Sequence, residues 1–207
     1  MKPQQNRMLL PLSFDLEGRK IVLIGGGKAA LEKFSQLKHT PCSLTVIAPE
    51  LLPEIETEIV APQTARITLE RRRFTPTDIE NAFMVFSAVE DVQVAEEIFQ
   101  LCRAQRILIN SADDKARCDF FTTAAINRGP IQVSVSTQGR FAGVSAVLRR
   151  HLEKLLPAEL DAEWEEIFAL REKALALQDV SEKKSVITDI VRAIEDRYFA
   201  RSDRENK

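Results

Sequence analysis

The apolar run Ile21-Val22-Leu23-Ile24 meets Gly25-Gly26-Gly27 and passes straight into Lys28-Ala29-Ala30-Leu31-Glu32-Lys33-Phe34. Of seven glycines in 207 residues, three stand in this one turn, so backbone freedom scarce elsewhere is concentrated there. Four consecutive apolar residues predict a strand covered on both faces, and the segment after the glycines reads as a helix. A buried strand turning on glycine into a helix points to layers of helix on sheet. It also gathers backbone N–H groups and the positive end of a helix at one point, which suits a pyrophosphate. The spacing Gly25-x-Gly27-x-x-Ala30 fits the dinucleotide fingerprint, with alanine allowed where strand and helix pack closely.

The first half of the chain repeats this alternation. Ser43–Ala48 predicts a second strand, ended by Pro49, and Ile67–Glu70 a third with one exposed face. Phe83–Ala88 is apolar enough to be covered on both faces. Asp91 is placed to cap a helix whose Val92, Ala95, Ile98, Phe99 and Cys102 recur at helical spacing, and Ile107–Asn110 closes the series as a short buried strand. Between Leu51 and Ala65, Pro53 and Pro62 leave room only for a loop or a short helix. Strands alternating with helices predict a parallel, doubly wound sheet, whose ligands sit beyond the carboxyl ends of the strands. The polar stretch Ser111-Ala112-Asp113-Asp114-Lys115 falls at such an end.

Beyond it the character changes. Gly129-Pro130 marks a turn, Ile131–Ser136 alternates as a half-exposed strand, and a helix from about Val144 to Leu156 stops near Pro157. Two amphipathic helices follow, roughly 158–178 and 181–200, with Trp164, Phe168 and Leu175 at helical spacing as expected core. The expected organisation is a nucleotide-binding domain over 1–113, a small strand-bearing segment over 114–143 and a helical C-terminal domain over 144–207.

Composition narrows the function classes. With 44% hydrophobic and 29% charged residues, no apolar run long enough to span a bilayer and no signal-like segment at Met1, the chain is expected in the cytoplasm without a membrane partner. Cys42, Cys102 and Cys118 are widely spaced and odd in number, so they read as reduced thiols. His39 and His151 lie far apart, and no metal site is expected. Between Lys115 and Lys154, seven basic residues (Lys115, Arg117, Arg128, Arg140, Arg149, Arg150, Lys154) stand against Asp119 and Glu153. That local +5 leaves −7 for the rest of a chain whose net charge is −2. A basic middle in an acidic chain, with no aromatic platform, suggests an anionic small ligand rather than nucleic acid.

Several segments stand in a known order: Leu10-Pro11-Leu12-Ser13-Phe14-Asp15-Leu16, Val22–Gly27, Val46-Ile47-Ala48-Pro49-Glu50, Ile109-Asn110 with Asp113-Asp114, Cys118-Asp119-Phe120, Arg128-Gly129-Pro130 and Val135-Ser136-Thr137-x-Gly139. From about Leu10 to Pro157 the chain resembles the precorrin-2 dehydrogenase family of siroheme synthesis, some members of which are also sirohydrochlorin ferrochelatases. The resemblance implies an α/β fold: a Rossmann-like parallel sheet domain, then a small dimerisation segment and a helical C-terminal domain, assembled as a homodimer. It implies NAD as cofactor and precorrin-2, a tetrapyrrole with eight carboxylates, as substrate, oxidised to sirohydrochlorin. The basic segment is then where those carboxylates would dock.

On that basis Gly25, Gly26, Gly27 and Lys28 are expected at the pyrophosphate, Ala48 and Glu50 near the ribose, and Ser87 and Ala88 where the fourth strand meets the cofactor. No arginine follows the second strand, which favours NAD over NADP. Asp113 matches the family's aspartate and is the expected catalytic base; Asp114 and Asp119 read as caps. Ser136, Thr137, Arg140 and Arg150 are expected at the substrate. The family's Ser-Thr/Ser-Gly-Gly-x-Ser-Pro here reads Ser136-Thr137-Gln138-Gly139-Arg140-Phe141-Ala142, and Val89 stands where threonine is usual. These departures keep two other readings open: a non-catalytic dimer sensing NAD(H) or a tetrapyrrole, and a dehydrogenase of another anionic substrate.

Overall fold

The computed structural model describes residues 8–128, 131–156 and 160–198. Two compact units divide the chain, Met1–Thr122 and Thr123–Lys207.

The first unit is built on five parallel strands, β1 (Lys20–Ile24), β2 (Ser43–Ile47), β3 (Arg66–Glu70), β4 (Met84–Ser87) and β5 (Leu108–Ser111), in the order β3-β2-β1-β4-β5. The central strand explains why its sequence is apolar without alternation. Ile21 and Leu23 enter one core with Phe34 and Leu37 of helix α1 (Lys28–Leu37), while Val22 and Ile24 enter the other with Ile98 and Cys102 of helix α3 (Val92–Gln105). Burying each of these side chains contributes roughly 1.5–3 kcal/mol. Helix α3 starts where its sequence said it would: the Asp91 carboxylate accepts from the N–H groups of Gln93 (2.8 Å) and Val94 (3.3 Å). The stretch between the prolines holds a short helix, α2 (Pro53–Val60), with Pro53 in its first turn and Ile55 buried beneath it. Each strand differs from its expected span by one residue at one end or both, which brings Ser111 into β5 and leaves Ala48 and Ala88 just past their strands.

The edge of β5 is covered by the chain's own return. The Asp119 N–H donates to the Ile109 carbonyl at 2.8 Å, the Ile109 N–H donates to Oδ2 of Asp119 at 3.1 Å, and Arg103 pairs with the other oxygen at 2.6 Å. Asn110 donates to the Phe120 carbonyl, and the Phe120 ring packs edge-on against Phe86 at 5.3 Å.

The second unit contains an antiparallel pair, β6 (Ala124–Arg128) and β7 (Ile131–Val135), and helices α4 (Ala142–Leu155), α5 (Leu160–Leu175) and α6 (Val180–Tyr198). Its β7 and three helices follow the expected pattern, the Gly129-Pro130 turn and Pro157 lying outside the described residues. Strand β6 was not expected, since Ala-Ala-Ile-Asn-Arg has little strand propensity and buries only Ile126. The expectation of core positions in the tail is corrected at two of its three residues. Phe168 and Leu175 remain exposed although α5 packs on α6, and Ala174 is the buried residue of the last turn.

Candidate active site

The carboxyl ends of β1, β2, β4 and β5 all lie on one edge of the sheet, as parallel pairing requires. At the centre of that edge the three glycines do different work. Gly25 adopts φ 124° and donates its N–H to the Ile47 carbonyl at 2.9 Å, and a Cβ there would fall 2.1 Å from the Ala88 carbonyl oxygen. A Cβ on Gly26 would fall 1.9 Å from the Glu50 carbonyl oxygen, so this residue lets the loops after β1 and β2 touch. Gly27 has open space: nothing lies within 4 Å of where its Cβ would be.

Gly27 also begins α1 without a side-chain cap, and the first turn carries no acid. The first helical hydrogen bond runs from Leu31 N–H to the Gly27 carbonyl, which leaves the N–H groups of Lys28, Ala29 and Ala30 at the positive end of the helix dipole. Lys28 is exposed beside them. Ala48 is buried; Glu50 is exposed, its carbonyl turned to Gly26. Ser87 is 2% exposed, and its hydroxyl has no hydrogen-bond partner among the described residues. An open glycine, an uncapped helix start and an orphaned buried hydroxyl on one sheet edge fit a dinucleotide.

Next to Ser87, its register partner Ser111 is buried at the end of β5. The Ser111 hydroxyl donates to Oδ1 of Asp113 at 2.5 Å, while Asp113 itself is exposed. Ser111 is gripped from behind by Cys118: its N–H donates to the sulfur and the thiol donates to its carbonyl, both at 3.2 Å. Burial pushes the thiols of Cys118 and Cys102 up, Cys102 to about 12, so both stay protonated. Asp114 caps the next turn through the Ala116 N–H at 2.8 Å and stands 3.5 Å from Arg117, and Asp119 clamps β5. Asp114 is thus a cap as expected, whereas Asp119, expected as another, instead bonds the backbone of a strand and Arg103.

In the second unit, Ser136 and Thr137 end β7 in a loop that uses their hydroxyls. The Ser136 oxygen accepts from the Gln138 N–H at 3.0 Å; the Thr137 hydroxyl donates to the Phe141 carbonyl at 3.0 Å and accepts from the Phe141 N–H at 3.1 Å. Gln138 and Gly139 follow at φ 55° and 71°. Glu153 draws together Arg149 (2.8 Å) and Arg128 (3.3 Å), a pairing that sequence reading missed because Arg128 lies twenty-five residues away. Arg140 and Arg150 are exposed, with no carboxylate within 4.0 Å among the described residues.

Comparison with known proteins meets this geometry from another side. Residues 12–124, which include the whole five-stranded sheet, match the family model described as "Putative NAD(P)-binding". A siroheme synthase of Mannheimia succiniciproducens is 35% identical over 150 residues, covering 72% of this chain and 31% of that protein. Siroheme synthase 2 of Aeromonas hydrophila is 33% identical over 177 residues, covering 84% and 36%. The chain thus spans about a third of the length of the curated relatives it matches. A solved structure of a precorrin-2 dehydrogenase shares the fold, with a TM-score of 0.69 at 21% identity over 88% of this chain and 89% of that one. More than half the chain, with the glycine turn and the β5 end inside it, therefore places this protein in the NAD(P)-binding family.

Proposed function

We propose that the protein oxidises precorrin-2 to sirohydrochlorin, with NAD⁺ taking the hydride. One observation carries the chemistry: on the same sheet edge as an uncapped, glycine-led helix start stands an exposed carboxylate, Asp113, held by a buried serine. Similarity to siroheme synthases supports the substrate. The substrate loses two hydrogens, one as a hydride with its electron pair and the other as a proton. When bound, the nicotinamide supplies the acceptor for the hydride.

The chain's own residues do the rest. The N–H groups of Lys28, Ala29 and Ala30, with the Lys28 ammonium, hold the pyrophosphate against Gly27. Gly25 and Gly26 keep the loops around it closed, and Ser87 and Ala88 border the cofactor. Ala48 and the Glu50 carboxylate face the ribose, and NAD is favoured over NADP. Arg71 and Arg72, the first arginines after the neighbouring strand, are already paired with Glu56 at 2.7 Å and Asp78 at 2.6 Å. Asp113 takes the substrate's proton and releases it to water. Arg140 and Arg150, exposed and without a carboxylate partner among the described residues, meet substrate carboxylates, and Ser136 and Thr137 contact the substrate. Phe141, Val147 and Leu155, all more than half exposed, support assembly as a homodimer through the second unit. Three buried free thiols suit a reducing cytoplasm.

The test is an anaerobic assay with precorrin-2 and NAD⁺, following sirohydrochlorin absorbance. Turnover is expected, falling about 10²–10⁴-fold in Asp113→Ala with NAD⁺ affinity unchanged. Wild-type protein that binds NAD⁺ yet leaves precorrin-2 unchanged overturns the activity and favours the sensor reading.

A further inference from the structure

We infer that Ser111 is the positioning residue of this site: its hydroxyl holds Oδ1 of Asp113, so that Oδ2 is the oxygen presented to the substrate's proton. The inference rests on the proposed oxidation, in which Asp113 is the base.

An exposed aspartate on a loop is a poor base if its carboxylate wanders, because productive proton transfer needs one oxygen at a fixed place and angle. Ser111 is built to remove that freedom. It is 6% exposed, so its hydroxyl meets little competition from water, and its bond to the carboxylate is charge-assisted and short. Its backbone is fixed on two sides, by pairing with Ser87 in β4 and by the Cys118 sulfur at N–H and carbonyl. Burial keeps Cys118 a thiol, which preserves the donor that this grip needs. The neighbouring carboxylate is already spent, since Asp114 caps Ala116 and faces Arg117. Of the Asp113-Asp114 pair, only the first is both exposed and held by a buried hydroxyl. The bland alternative is that the Ser111–Asp113 bond merely shapes the turn after β5, and the two roles predict different losses.

The experiment compares wild type, Ser111→Ala, Ser111→Thr, Asp113→Ala and the double variant Ser111→Ala/Asp113→Ala in the anaerobic assay, with thermal melting and NAD⁺ titration of each. Positioning predicts that Ser111→Ala lowers kcat about 10–100-fold with KM, melting temperature and NAD⁺ affinity unchanged. Ser111→Thr, which keeps the hydroxyl, recovers most of that rate. The double variant is no slower than Asp113→Ala alone, as expected of residues that act as a unit. Wild-type turnover with Asp113→Ala inactive and Ser111→Ala undiminished overturns the inference and leaves the proposed function standing. So does a Ser111→Ala loss that follows a lowered melting temperature. A wild-type protein without turnover overturns the activity and, with it, this inference.

Discussion

The two units bury their apolar residues to very different degrees. In the first, Ile21, Val22, Leu23 and Phe34 are each 0% exposed, enclosed between two helical layers. In the second, the fully enclosed residues described are few, Ile126, Ser145 and Ala174, while Phe141 is 64% and Leu155 65% exposed. A sheet covered on both faces satisfies itself. A two-stranded sheet with one helix on it does not, because a single hairpin is marginal without further layers. The contrast suits the first unit to the rigid work of holding a cofactor and is the ground for the proposed association through the second.

Substitutions can break or sharpen this contrast. The largest effect is expected at the glycine turn, where two neighbours differ. Gly26→Ala forces a Cβ onto the Glu50 carbonyl and should cost more than about 4 kcal/mol. Gly27→Ala meets open space and should cost under about 1 kcal/mol, yet weaken NAD⁺ binding about tenfold or more. Thermal melts beside NAD⁺ titrations separate the two, and equal destabilisation would show that the turn serves the fold alone. Next in size, Phe34→Ala should cost about 3–5 kcal/mol by denaturant unfolding. Val147→Asp, at a position 56% exposed, should leave single-chain stability within about 0.5 kcal/mol and instead shift sedimentation toward single chains. Unchanged sedimentation would remove α4 from the proposed contact. The smallest effect is expected of Glu153→Gln: its pairs with Arg128 and Arg149 are partly solvated, and urea unfolding should shift by no more than about 1 kcal/mol.

The same contrast governs what could be read from the chain. Strands β1 and β4 were legible because burial on both faces writes unbroken apolar runs, Ile21–Ile24 and Phe83–Phe86, β3 by its alternation, and Asp91 announces its helix by local chemistry. Strand β6 was illegible because Ala124 and Ala125 carry no periodic signal. Its only hint is that Gly129-Pro130 followed by a strand asks for a partner before it. Phe168 and Leu175 misled because helical spacing reveals an apolar stripe without saying what covers it. At the candidate site, glycine spacing and Asp113 were visible in sequence. The separate tasks of the three glycines were not, since Gly26 and Gly27 differ only in what the loop of Glu50 brings near them. Nor was the bond from Ser111, which depends on a side-chain rotamer that spacing leaves open.

The cover over β5 carries a further consequence. The outer strands of an open sheet are natural templates for recruiting more strands, and the proposed pairing through the second unit requires that the first unit not join indiscriminately. Asp119 occupies both backbone groups of Ile109, its carboxylate and its own N–H standing in for a sixth strand that can grow no further. On the opposite side, β3 begins with Arg66 and ends with Glu70, charges that disfavour stacking against another chain. Growth of the sheet is thereby discouraged at both borders, and one short aspartate side chain guards the molecule against running on into a fibre.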